Sequence, residues 1–285
     1  MTAQLTVLVT GASSGIGRAT AVEFARRGHQ VYAAARREEV LAGLADGERN
    51  IRPVGLDVAD GDSVQRAWAK IQAETGGTGV DVLVNNAGFA LTGPVEVLPD
   101  EAVRRQFGTN VFGLLNVTRA VLPAMRARGS GRIINVSSIV GRVTFGFMGV
   151  YGATKYAVEA LSDALRMELR GFGIAVVLIE PGLVATSILS AADAEAGRGP
   201  VPPAYQEMAE TGARYLARQL AKGIPAGQVA ATIANAAESR NPRTRYVMPG
   251  AARASIAMLT ALPDKAADKA KLRATRLPAA GTHPA

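Results

Sequence analysis

Short apolar runs alternate with helical stretches over the first 180 residues, and this alternation constrains the fold of the 285-residue chain more than any other feature. The apolar runs predict six buried strands, at residues 5–9, 30–34, 51–56, 80–84, 132–136 and 175–179. Apolar residues recur at helical spacing between them, as they do from Ser14 to Arg27. Strands that are buried on both faces and joined by helices form parallel sheets covered on both sides. We therefore predict an α/β fold with a doubly wound parallel sheet and helices on both faces.

The chain shows no shift in composition that would mark a domain boundary, so we predict a single domain over residues 1–262. Two long helices are expected at 100–128, with a bend at Pro123, and at 150–170. After Pro181 the pattern predicts a loop at residues 190–204. Two helices, at 203–222 and 226–239, and a short strand at 246–248 are expected to follow. We expect residues 183–225 to form a lid and residues 263–285 to form a basic, flexible tail.

Composition excludes several kinds of site. The chain has no cysteine and two histidines, His29 and His283. Disulfides, zinc–thiolate sites, iron–sulfur clusters and a cysteine nucleophile are therefore excluded, and we predict no metal site. The absence of cysteine fits a reducing compartment, so we predict the cytoplasm. The chain enters a strand pattern at once and has no apolar run of about 20 residues, so neither a signal peptide nor a membrane span is expected.

The net charge of +8 is uneven along the chain. Residues 251–285 hold six basic and two acidic side chains, which is half of the excess. We interpret this segment as a solvated basic tail without a nucleic-acid partner, although a surface that attracts polyanions or anionic lipids is the alternative.

A glycine-rich turn lies between the first predicted strand and the first predicted helix. The sequence from Thr10 to Gly17 has the spacing G-x-x-x-G-x-G. Glycines here allow a tight turn, a close approach of the backbone to a pyrophosphate and tight packing of the helix on the strand. This predicts a Rossmann-type dinucleotide site, unless the turn is merely structural. The contact residues would be Gly11, Ser13, Ser14, Gly15, Ile16 and Gly17.

The end of the second predicted strand indicates which cofactor is used. An acidic residue there would bind the adenosine ribose and favour NAD, but this chain has Arg36 and Arg37. Guanidinium groups suit phosphate oxygens, so we predict NADP, with Arg36 as the main contact to the 2′-phosphate and Arg37 as support. Alternatively, these arginines only solvate the start of a helix.

Further cofactor contacts are expected at the ends of the third and fourth strands. Asp57 and Val58 could contact the adenine, although Asp57 could instead cap the next helix. The turn after the fourth strand would let a ribose lie against the backbone, with contacts at Asn85, Ala87 and Gly88. Asn86 in the same turn is expected to hold neighbouring strands together.

A serine, a tyrosine and a lysine in the second half of the predicted sheet region suggest acid–base chemistry. Tyr151 and Lys155 are four apart on a predicted helix and share one face, and Ser138 follows the fifth strand. A tyrosine with a pKa of ~10 is a poor catalyst at neutral pH unless its anion is stabilised, which a nearby ammonium does. The serine hydroxyl could orient a substrate oxygen. A solvated helix face is the alternative for the Tyr–Lys pair taken alone.

Taken together, the motifs at Thr10–Gly17, 85–88, Ser138, Tyr151 and Lys155 resemble those of the short-chain dehydrogenase/reductase family. Within it, the sequence is most similar to the 17-beta-hydroxysteroid-dehydrogenase-like and retinol-dehydrogenase-like branch. The resemblance implies a single-domain oxidoreductase that binds NADP over residues 1–262 and transfers hydride between a carbonyl and its alcohol.

The resemblance also implies a role for each matching residue. Tyr151 would be the acid/base, Lys155 would lower its pKa and bind the nicotinamide ribose, and Ser138 would polarise the carbonyl. Asn110 would hold a water that links Lys155 to solvent. The nicotinamide carboxamide would be held by Pro181, Gly182 and Thr186. Ser137 and Tyr156 are expected to be structural.

The substrate is expected to be a hydrophobic ketone, aldehyde or alcohol, such as a steroid, a retinoid or an acyl chain. Residues 139–150 would form an apolar wall with Arg142 as its one charge. The wall and lid residues proposed are Val143, Phe145, Phe147, Met148, Leu183, Val184, Ile188 and Leu189. Core packing or a dimer contact is the alternative. Relatives associate through the two long helices, which predicts a homodimer or homotetramer. A non-redox enzyme or a cofactor-sensing member of the same superfamily is the alternative function.

Overall fold

The computed structural model describes residues 4–185, 201–275 and 277, and its centre is a parallel sheet of seven strands. The strands are β1 Thr6–Thr10, β2 Gln30–Ala35, β3 Ile51–Gly55, β4 Val82–Asn85, β5 Gly131–Val136, β6 Ile174–Pro181 and β7 Arg245–Met248. Their order is β3-β2-β1-β4-β5-β6-β7. The order reverses between β1 and β4, where Val9 pairs with Val84. In such sheets the ligand crevice lies outside the carboxyl ends of the strands at this reversal.

Helices cover both faces of the sheet. They are α1 Gly15–Arg26, α2 Ala42–Gly47, α3 Gly61–Glu74, α4 Asp100–Phe107, α5 Leu114–Arg128, α6 Gly149–Glu168, α7 Pro203–Leu220, α8 Ala226–Glu238, α9 Ala252–Ala261 and α10 Asp264–Thr275. Phe24 of α1 and Ile233 of α8 belong to the core on one face, and Ile71 of α3 and Val121 of α5 to the core on the other. The predicted α/β fold, a Rossmann-type doubly wound sheet, is confirmed.

The helix expected over residues 100–128 differs from the prediction. It is interrupted by a π-helical turn at Gly108–Gly113, whereas the following helix α5 continues through Pro123. Asn110, which lies in this turn, bonds to Phe89 on one side and to Thr154 on the other. These contacts are long-range, so the interruption is set by the tertiary structure rather than by a helix-breaking residue.

The C-terminal segment also differs from the expected flexible tail. Residues Asp264–Thr275 form the helix α10, with Asp264 in its first turn and Arg273 in its last. Both charges interact favourably with the helix dipole. Ala267 is buried, so one face of the helix packs against the rest of the protein. Within the described part of the chain, no helix combines the length and the apolar character that crossing a bilayer demands.

Candidate active site

The glycine-rich turn between β1 and α1 is built for close backbone packing. Gly11 has a φ of 66°, and a Cβ atom there would lie 2.8 Å from Ala87 Cα. A Cβ atom at Gly17 would collide with the Gly11 carbonyl oxygen and the Asn86 amide. The Asn86 Nδ2 group donates to the carbonyls of Thr10 and Gly11 at 3.0 and 3.2 Å. Asn86 therefore ties β4 to the turn, which confirms its predicted structural role.

The first helix begins in the crevice beside this turn. It starts at Gly15, and the side chain of the preceding Ser14 makes no capping hydrogen bond. The first N–H groups of a helix lack partners within the helix and carry the positive end of its dipole. With the glycine-lined approach, this end of α1 fits the pyrophosphate of a dinucleotide.

The adenosine end of the crevice has two exposed arginines. Arg36 and Arg37 follow directly on β2. The next acidic residue, Glu38, is directed elsewhere, because its Oε2 accepts from Gly55 N at 3.0 Å and its Oε1 lies 3.4 Å from Lys70 Nζ. Arg36 and Arg37 thus place two guanidinium groups at this edge of β2, and guanidinium groups suit the oxygens of a 2′-phosphate.

Three other predicted cofactor residues are placed mainly by structural contacts. The Asp57 Oδ1 atom accepts from Ala59 N at 3.0 Å, and Asp60 rather than Asp57 caps α3. Val58 is buried, and a Cβ atom at Gly113 would lie 2.6 Å from its Cγ2. The Asn85 side chain lies in a buried network, where it donates to Thr118 and Asn135 at 3.0 Å. Gly88, in contrast, lines the crevice.

The predicted acid–base residues come together at the carboxyl end of β5. Ser138 Oγ donates to the carbonyl of Pro181 at 3.1 Å. Lys155 Nζ donates to the carbonyl of Val136 at 2.8 Å and lies 5.7 Å from the centroid of the Tyr151 ring. The side chains of Ser138, Tyr151 and Lys155 are all buried and line one cavity together with Pro181 and Gly182. Thr186 lies outside the described residues.

Burial dominates the electrostatics of this group. It raises the pKa of Tyr151 to about 12, and a hydrogen bond with Ser138 acts in the opposite direction. Burial also lowers the pKa of Lys155 to about 8, against the charge of Glu159. Desolvation of the phenolate outweighs the hydrogen bond with Ser138, and the lowering of the tyrosine pKa expected from Lys155 stays a prediction.

The side chain of Asn110 is held by three hydrogen bonds within the protein. Its Oδ1 accepts from Phe89 N at 3.1 Å, and its Nδ2 donates to Phe89 O at 3.0 Å and to Thr154 Oγ1 at 3.1 Å. Both amide hydrogens are used by the protein, so the side chain links the segment after β4 to α6, and the expected role in holding a water near Lys155 stays a prediction. Its backbone lies in the π-helical turn, where the regular helical hydrogen bonds are interrupted.

A largely apolar cavity of about 470 Å³ adjoins the three acid–base residues. Among the residues predicted for its wall and lid, those that line it are Phe145, Phe147, Met148, Leu183 and Val184. Val143 is buried elsewhere, and Arg142 lies 3.7 Å from the Glu180 carboxylate instead of facing the cavity. Ile188 and Leu189 fall outside the described residues. Among the described residues that line the cavity, Lys155 alone carries a charged side chain.

Helix α7 falls within the lid predicted over residues 183–225, but its individual wall residues and Leu277 were not identified from the sequence. Helix α7 contributes Ala209, Gly212, Ala213, Leu216 and Leu220, and the C-terminal segment contributes Leu277. The helical spacing of the α7 residues is a signal that could have identified this face. Leu277 carries no such signal, because it follows a helix distant in sequence.

The family model described as short chain dehydrogenase matches residues 5–197. The chain belongs to this family. A 3-ketodihydrosphingosine reductase of Bacteroides thetaiotaomicron is 42% identical over 62% of this chain and 62% of its own length, so the match spans less than two thirds of that relative. An NADPH-dependent 3-dehydrocapnine reductase of Ornithobacterium rhinotracheale is 34% identical over 92% of this chain and 94% of its own.

Among solved structures, a short-chain dehydrogenase/reductase of Burkholderia phymatum in complex with NAD is similar to the chain throughout. The two structures superpose with a TM-score of 0.80 at 28% sequence identity. The match covers 90% of this chain and 93% of the Burkholderia chain. The sheet and helices of this family thus extend over most of the chain.

Proposed function

We propose that the protein is an NADP-dependent oxidoreductase that interconverts a hydrophobic ketone or aldehyde and its alcohol. One observation carries this proposal: Tyr151, Ser138 and Lys155 line an apolar cavity together with Pro181 and Gly182, at the mouth of the dinucleotide crevice. Members of this family carry out redox chemistry on small molecules, and the two reductases described above support the class of reaction.

The chain's own residues would divide the work as follows. The nicotinamide of the bound cofactor supplies or accepts hydride at the substrate carbon. Ser138 orients the substrate oxygen, and Tyr151 donates a proton to it during reduction. Lys155 binds the cofactor ribose and places a positive charge near the phenol. Pro181 and Gly182 would line the nicotinamide end of the cofactor site. The Pro181 carbonyl also accepts a hydrogen bond from the Ser138 hydroxyl there.

The preference for NADP is supported by Arg36 and Arg37 at the end of β2, and by the relative that is named as NADPH-dependent. A similar structure is in complex with NAD, whereas a relative is named as NADPH-dependent, so the fold alone does not select the cofactor and the two arginines carry this part of the proposal.

We also propose a cytoplasmic homodimer or homotetramer. The cysteine-free composition supports the compartment, and the exposed Phe112, Tyr156 and Met167 on the two long helical segments support the assembly.

Replacing Tyr151 by Phe tests the mechanism. The variant should lose about 10²- to 10⁴-fold in turnover, because it removes the proton donor. It should still bind NADPH, as measured by cofactor fluorescence. Activity would be followed at 340 nm with graded ketones and alcohols and with both cofactors.

Tyr156→Phe is the matched control. Tyr156 lies on the same helix, and its hydroxyl donates to Arg142 O at 2.7 Å on the exposed side. This variant should keep its activity. Near-full activity in Tyr151→Phe would refute the proposed acid, and cofactor binding without net NADPH consumption by any ketone would favour a non-redox or sensing role.

A further inference from the structure

The cavity wall includes a residue from far outside the region that the family model matches. Leu277 follows α10, whereas the matched region ends at residue 197. Its side chain is buried, with 8% of its surface exposed, and its backbone N–H donates to Leu272 O at 3.1 Å. This hydrogen bond links Leu277 to the C-terminal end of α10.

Leu277 packs against two glycines. A Cβ atom at Gly146 would lie 3.2 Å from Leu277 Cδ1, and one at Gly212 would lie 3.7 Å from Leu277 Cδ2. Gly146 belongs to the predicted substrate wall, and Gly212 lies on α7. The leucine side chain therefore packs between the wall and α7, where a Cβ atom at Gly146 would make a tight contact with it and one at Gly212 an ordinary contact.

The space between Leu277 and the acid–base residues is suited to an uncharged chain. Ala209, Ala213 and Ala217 keep the α7 side of the cavity shallow, and Phe145 and Met148 lie among the residues of the opposite wall. Lys155 is the one charged lining residue in the described part of the chain. Away from Lys155, a charged group in this space would lose its hydration without a charged partner among the described lining residues, so an aliphatic or aromatic group is favoured.

We infer that Leu277 is a specificity-determining residue, which closes the substrate cavity between Gly146 and Gly212 and limits the length of the apolar group that the enzyme accepts. The inference rests on the proposed function for its substrate class. It assigns a role in selectivity to the C-terminal segment, which the family match does not cover.

The test uses unbranched alkan-2-ones of increasing length with NADPH, for the full-length wild type, Leu277→Ala and Leu277→Trp. Leu277→Ala removes three carbon atoms from the end of the cavity, so its preferred chain should be longer by about two or three carbons. Each additional buried methylene should raise kcat/KM about fourfold, which corresponds to ~0.8 kcal/mol. Leu277→Trp should shift the preference to shorter chains, mainly through KM.

Leu272→Ala is the matched control, since it is the same change on the neighbouring helix α10 at a side chain that is 37% exposed. The dependence of its kcat/KM on ketone chain length, here called the length profile, should equal that of the wild type. A profile that stays unchanged in both Leu277 variants while activity persists would overturn the inference.

Affinities of the same ketones for the protein saturated with NADP⁺, measured by calorimetry, separate this inference from the proposed function. If no ketone is turned over but Leu277→Ala binds longer chains more tightly, the proposed reaction fails and the role of Leu277 stands. If the dependence of affinity on chain length is the same in all variants, the role of Leu277 fails whatever the reaction is.

Discussion

At the scale of single residues, Arg36 is the side chain on which the choice of cofactor depends most. It is exposed at the end of β2, next to Arg37, and the acidic Glu38 is held by Gly55 and Lys70. Replacing Arg36 by Asp should lower kcat/KM for NADPH relative to NADH by about 10- to 100-fold, because a charge-assisted hydrogen bond contributes roughly 1.5–3 kcal/mol.

Arg37→Asp is the comparison variant for this experiment, since it introduces the same change of charge one residue away. It should have a smaller effect on the ratio of kcat/KM for NADPH to kcat/KM for NADH. An unchanged ratio in Arg36→Asp would show that the 2′-phosphate is bound elsewhere.

A second residue-scale prediction concerns Glu180, which is fully buried before Pro181. Its carboxylate faces Glu159 of α6, Arg142 after β5, Arg245 of β7 and Arg253 of α9. Burial and the charge of Glu159 raise the pKa of Glu180 to about 7, against the three arginines. The folded protein therefore holds a proton on Glu180 over a pH range in which the unfolded chain has released it.

This difference in protonation fixes the sign of a pH effect. Between the ordinary glutamate pKa of about 4.3 and a pH of about 7, the native state binds more protons, so the contribution of Glu180 to stability falls as the pH rises. In Glu180→Gln this contribution is absent. The free energy of unfolding of the variant relative to wild type should therefore increase from pH 5 to pH 7.5, as measured by urea denaturation.

Glu210→Gln on the exposed face of α7 provides the control, because its partner Arg214 is also exposed. Its stability relative to wild type should not change over the same range. A difference between Glu180→Gln and wild type that is constant with pH would contradict the assignment.

At the scale of secondary-structure elements, the strands and most helices could be predicted because their pattern is local. Val7, Leu8 and Val9 alternate between the two faces of a sheet that is buried on both sides, so the whole run is apolar. The π-helical turn at Gly108–Gly113 has no such pattern, since it is held by the contacts of Asn110 to Phe89 and Thr154. The helix α10 was missed because its charges were read as a tail, although its alanines favour a helix.

The candidate site follows the same rule. Ser138, Tyr151 and Lys155 could be predicted, because their types and their positions after a strand and on one helix face define the chemistry. Arg142 was expected in the cavity wall, but a buried carboxylate on β6 attracts it. Such pairing depends on residues that are distant in sequence, as does the insertion of Leu277.

At the scale of the whole molecule, the proposed homodimer or homotetramer depends on exposed apolar side chains. Met167 at the end of α6 is 70% exposed, and Phe112 in the π-helical turn is 58% exposed. These large exposed apolar side chains on the two long helical segments are the basis of the proposed association. We predict that Met167→Glu weakens the homodimer or homotetramer, because each symmetric interface would contain the substituted residue twice.

Met258→Glu on α9 is the appropriate comparison, since Met258 is also largely exposed but lies on a different helix. Sedimentation velocity over a range of protein concentrations should show dissociation of the Met167 variant at concentrations where the wild type and the Met258 variant stay assembled. Burial of one methionine side chain contributes roughly 1.5–3 kcal/mol, so the dissociation constant should rise by at least tenfold. If Met258→Glu dissociates instead, the interface lies on the α9 side, where the C-terminal segment also closes the cavity.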